Sequence, residues 1–186
     1  IYGEVLIEYP GKTADDLIRE WIQIIADNSQ DPAKLGTPAV YTTEDGVDLS
    51  QMINKVLIGT VPYYQATGKY LTQLFDKGNS AAKEGKTYTD MEHYWDEAFG
   101  YFGAARDYNT YSDSDIKGKV NKDSNSDGKI NYNSEYNFSL AVGAAKRDVG
   151  STSGTVDLTG DIFTAFLTGR ALITAEGAQE DIAVHQ

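Results

Sequence analysis

A mainly α fold, an irregular helix bundle in one domain spanning residues 1–186, is predicted by three observations. Apolar residues recur at helical spacing in five segments. Thr, Asp or Ser stands at the head of these segments, where the first backbone N–H groups of a helix need an acceptor. One long polar stretch, from Asp107 to Asn133, carries no such periodicity and reads as an excursion over 107–135.

The elements follow in chain order. Glu4 to Glu8 reads as a short strand closed by Pro10-Gly11. Thr13 and Asp16 then form a capping-box pattern, and Leu17, Ile18, Trp21, Ile22, Ile24 and Ile25 make one wide apolar face, so helix is expected over Ala14 to Asn28. After the turn-rich Gly36 to Gly46, Asp48 caps a second helix carrying Leu49, Met52, Ile53, Val56 and Leu57. Pro62 removes a backbone donor, which predicts a kink near Gly59 to Pro62, or a break into two helices, before helix resumes through Leu74 and Phe75. Asp90 to Phe102 aligns Met91, Trp95, Ala98, Phe99 and Phe102 on a third helix. Ser134 is expected to cap a fourth helix through Phe138, Leu140 and Val142, and the last helix starts near Asp157.

Composition narrows the function classes. Acidic residues outnumber basic ones 28 to 16, a formal charge of -12 that repels a phosphate backbone, so nucleic acid is an unexpected partner. No apolar run reaches the roughly 20 residues of a membrane span. With no cysteine, thiolate metal sites, cysteine nucleophiles and disulfides are excluded together. Because residue 1 is Ile rather than Met, the chain is expected to be processed or part of something longer.

Within the polar stretch, Asp123-Ser124-Asn125-Ser126-Asp127-Gly128-Lys129-Ile130-Asn131 places oxygen donors at positions 1, 3 and 5 and glycine at 6, the opening of an EF-hand-like calcium loop. The spacing has a cause. Alternate side chains face the ion, Gly128 takes the sharp turn, and the carbonyl of Lys129 supplies the next oxygen. Position 12 departs from the pattern: Ser134 stands there and Glu135 follows at 13. Either one additional residue is accommodated and Glu135 reaches the ion, or water or an upstream carboxylate, Asp113 or Asp115, completes the shell. The predicted metal ligands are therefore Asp123, Asn125, Asp127, Lys129 and Glu135, with calcium as the cofactor.

Other constellations carry less. His93 and Glu97 lie one helical turn apart and could share a metal, yet two ligands make no site and the other histidine is His185. Glu92, Asp96 and Glu97 read as a solvated helix face rather than an acid–base pair. Gly11-Lys12-Thr13 lacks the first glycine of a phosphate-binding loop, Leu6 standing in its place. Tyr63, Tyr64, Tyr94 and Tyr101 fall in helical apolar patterns, which favours burial over a carbohydrate-stacking surface.

Gly59 to Thr72, Met91 to Gly103 and Ser134 to Asp148 resemble a family of bacterial proteins, the domain of unknown function 4856, with Lys146-Arg147-Asp148 matching a triplet found there. That resemblance implies an exported protein, often a lipoprotein of Bacteroidetes or marine Gammaproteobacteria. It also implies helical sequence flanking this chain, so that another chain or segment completes the core. Imelysin-like envelope proteins offer a poorer comparison, because Met91 stands where their GxHxxE motif needs glycine and Asp96 where it needs Glu. The expected function is an extracytoplasmic calcium-binding protein, a binding or structural component of the envelope without catalysis, whose ligand or protein partner the residues do not name. The alternative is a metal-dependent hydrolase or metal-uptake component using His93 and nearby carboxylates.

Overall fold

The computed structural model describes residues 9–80, 82, 84–151, 156–177 and 179–186. The strand expected over Glu4 to Glu8 lies outside them. The described residues are mainly helical: α1 (Ala14–Ser29), α2 (Leu49–Tyr63), α3 (Asp90–Phe102), α4 (Asp113–Lys117), α5 (Ser139–Gly150), α6 (Leu158–Thr174) and α7 (Gln179–Ala183), with no strand among them. They fall into two compact units, one through Val61 and one from Pro62 onward.

In the first unit, the Thr13 hydroxyl accepts from Asp16 N while the Asp16 carboxylate accepts from Thr13 N at 2.9 Å, which fixes the start of α1. Leu17 and Trp21 of α1 bury against Leu49 at the head of α2, with Ile18, Ile24, Ile25, Ile53 and Val56 packed around them. As expected, Asp48 caps α2 by accepting from Gln51 N at 3.0 Å.

The disturbance anticipated at Pro62 takes the form of a change in helix type. Pro62 sits in the last turn of α2, where its missing N–H removes one rung. The chain continues as a π-helical segment, Tyr64–Leu71, closed by Thr72 N donating to Thr67 O at 3.1 Å. Gly68 permits this, since a Cβ there would meet the Tyr64 ring at 2.7 Å.

The second unit has two apolar clusters. Leu71, Leu74, Met91, Trp95, Ala98, Ile173 and Ile182 form one, and Phe102, Tyr108, Tyr111, Ile116, Ala141, Val142, Ala145 and Phe163 belong to the other. Phe166 packs against both, and its carbonyl accepts from Trp95 Nε1 at 2.9 Å. α3 stops at Gly103 (φ +85°), where a Cβ would lie 2.7 Å from the Phe138 carbonyl; Phe138 N in turn donates to Gly103 O at 2.9 Å.

Three differences from the sequence reading concern the site. The stretch from Asp107 is not uniformly loop, because Tyr108, Tyr111 and Ile116 are buried and Ser112 with Asp115 caps the short helix α4. Ser134 caps nothing: α5 begins at Ser139, after an extended Phe138. Glu135 therefore precedes the helix by four residues. Finally, Tyr63 and Tyr64 are exposed, Tyr63 to 57%, while Tyr94 and Tyr101 are half-buried as helical packing requires.

Candidate functional site

The segment Asp123–Glu135 folds into a tight turn held by its own side chains. Asp127 N donates to Asp123 Oδ1 at 3.1 Å and to Asn125 Oδ1 at 3.0 Å, which brings those two oxygens to one point. Gly128 N donates to Asp123 Oδ2 at 2.7 Å, and Lys129 N to Asp127 Oδ1 at 2.9 Å. Gly128 adopts φ +81°, the left-handed conformation expected of position 6, and Ser126 also has positive φ. Each of these carboxylate oxygens keeps lone-pair capacity beyond the N–H it accepts, so the turn is compatible with a bound cation.

Glu135 lies behind this turn and is 1% exposed. Its Oε1 accepts from Ser124 N (3.0 Å), Ser124 Oγ (2.9 Å) and Asn125 N (3.1 Å), and its Oε2 accepts from Asn131 N (2.9 Å). The carboxylate thus ties the start of the loop to its end. The Asn131 N–H does most to hold the Glu135 pKa below its ordinary value; burial opposes it, and the Ser124 and Asn125 donors add to the lowering. Glu135 is ionised at neutral pH in consequence.

Both ends of the loop are anchored. At the entry, Lys122 N donates to the buried Tyr111 hydroxyl at 3.0 Å, and Lys122 Nζ lies 4.1 Å from the centre of the same ring. At the exit, Arg106 N donates to Ser134 O at 2.8 Å and Ala105 N to Asn137 Oδ1 at 2.7 Å. The upstream acids considered as ligands are engaged otherwise: Asp113 Oδ1 accepts from Thr159 Oγ1 at 2.8 Å, and Asp115 Oδ2 accepts from Ser112 N at 3.4 Å in the capping box of α4. Asp123, Asn125 and Asp127 are brought together, Lys129 follows them in the turn, and Glu135 braces them through the backbone.

The acids of α3 divide: Asp96 is exposed and Glu97 half-exposed, in keeping with the solvated face expected, whereas Glu92 is buried. Glu92, 8% exposed, accepts from Thr89 N, Thr174 Oγ1 and Arg170 Nη1, the last at 2.6 Å, while Asp96 accepts from Arg170 Nε at 2.8 Å. Burial raises the Glu92 pKa, but the Thr89, Thr174 and Arg170 donors and the Arg170 charge more than offset it, and the net shift is downward. His93 Nε2 lies 3.9 Å from Glu97 Oε1, with its ring stacked on Tyr88. Among the described residues no three His, Asp or Glu side chains converge as a ready-made metal cluster.

One feature of the loop went unread in the sequence. Tyr132, Tyr136 and Phe138 touch in series, and the signal for it is the alternation of aromatics with Asn and Ser in Asn131-Tyr132-Asn133-Ser134-Glu135-Tyr136-Asn137-Phe138.

A family model described as a domain of unknown function (DUF4856) matches residues 12–183. No curated protein and no solved structure matches the chain. The chain belongs to the DUF4856 family.

Proposed function

We propose that this member of a family of unknown function is an exported calcium-binding protein of the bacterial envelope, acting by binding or by supporting structure rather than by catalysis. The observation that carries the reading is the convergence of Asp123 Oδ1 and Asn125 Oδ1 on one N–H, with the Asp127 carboxylate folded into the same turn. Oxygen donors at alternate positions around a left-handed glycine suit a hard cation that takes six to eight oxygens. Asp123, Asn125 and Asp127 would supply side-chain oxygens and Lys129 its carbonyl. Glu135 Oε2, which accepts a single N–H, is the oxygen best able to turn to the ion. Export is what the chain's resemblance to a family of typically exported proteins implies, and a weak site suits a compartment rich in calcium.

Metal analysis of the purified protein, before and after chelation, tests this. Calcium bound in a one-to-one ratio and lost with Asp123→Asn supports the reading. Zinc or iron lost on His93→Ala would overturn it in favour of metal-dependent chemistry at α3.

A further inference from the structure

We infer that Tyr132, Tyr136 and Phe138 form a stacking surface for a neutral polysaccharide. Tyr132 is 76% exposed and Phe138 43%. The rings are contiguous: Tyr132 meets Tyr136 with centroids 5.0 Å apart, and Tyr136 meets Phe138 at 6.2 Å with an interplanar angle of 28°. Single exposed apolar residues are ordinary, but here two exposed rings are joined through the half-buried Tyr136 into one contiguous patch, the kind of surface that recognition uses.

The chemistry around the rings selects the occupant. An aromatic face is electron-rich and attracts the slightly positive C–H groups on one side of a sugar ring. Exposed Asn131 and Asn133 flank Tyr132 in sequence with amides that both donate and accept, which matches sugar hydroxyls. A nucleic-acid strand would also stack, yet the chain carries a charge of -12, and among the described residues no lysine or arginine lies over these three rings. A quaternary ammonium needs faces that enclose it, whereas Tyr132 meets Tyr136 edge-on at 67°.

Calcium dependence of this surface rests on the proposed function, because Tyr132 follows Asn131, whose N–H is held by Glu135. The stacking itself does not. The test is native electrophoresis through gels containing hydroxyethylcellulose, galactomannan or dextran, with and without chelator. Retardation by at least one of them is expected, weakened at least about threefold by Tyr132→Ala, the lower range for one aromatic contact. Tyr63→Ala, at an exposed tyrosine elsewhere, should leave it unchanged, and an unaltered melting temperature shows that the Tyr132 variant is folded. Migration unaffected by all three polysaccharides overturns the inference, as does a dimer dispersed by Tyr132→Ala, which would make the patch an interface between copies. Calcium bound without retardation overturns this inference alone. Retardation that survives chelation, with no calcium bound, upholds the surface and overturns the calcium reading.

Discussion

Glu135 accepts four hydrogen bonds from three residues of its own loop, and its carboxylate is both ionised and nearly inaccessible. Gln at this position keeps one acceptor oxygen but turns an NH2 group toward a backbone N–H that needs an acceptor. Glu135→Gln should therefore weaken calcium binding at least about tenfold and lower the melting temperature even in chelator, while Asp113→Asn changes calcium affinity little. Calorimetry finding the reverse order would place the closing ligand upstream. Two glycines give a paired test of packing. At Gly169 a Cβ would lie 2.2 Å from Trp95 Cζ2, and Trp95 is fully buried, so Gly169→Ala should cost about 1–3 kcal/mol. Gly100, exposed on α3 with nothing within 4 Å, should gain up to about 1 kcal/mol on change to Ala. Urea unfolding of the two variants reads both signs.

Elements with a cap and a long apolar stripe were legible: α1 behind Thr13, α3 within its expected bounds, and α6 behind Asp157. Short ones were not. α4 and α7 have five residues each and take their order from burial of Ile116 and Ile182, which no local periodicity announces. Ser112-x-x-Asp115 was a readable start signal for α4. The loop's oxygen pattern was visible because its spacing is local, whereas the bracing role of Glu135 was not, since Ser134-Glu135 imitates a helix start. The Glu92–Arg170 pair links α3 to α6 across 78 positions of sequence and has no local signature. It carries a pH signature instead. Glu92 and Glu135 both titrate below their ordinary value of 4.5 in the folded chain, so their stabilising effect is complete above that value and is lost as pH falls through the folded values. Denaturant midpoints should be flat from about pH 7 to 5.5 and fall below about 4.5, with a smaller fall in Glu92→Gln. An identical acid limb in wild type and variant would remove Glu92 from the account.

For the whole molecule, the loop from Asp123 to Glu135 is held within the second unit by Tyr111 at its entry, by Arg106 at its exit, and by Ala105 and Gly103 on the Asn137 and Phe138 that follow it, so an ion that orders the loop also stabilises the native chain. Binding to the folded state alone adds about 2.7 kcal/mol at a free ligand concentration 100 times the dissociation constant. None of the described helices is long and apolar enough to cross a membrane. Calorimetric titration of the chelator-stripped protein with calcium tests the central claim most directly. One site with a dissociation constant of about 0.1–1 mM, abolished by Asp123→Asn, is the predicted result; no heat of binding up to about 10 mM calcium, tenfold above that range, would contradict it.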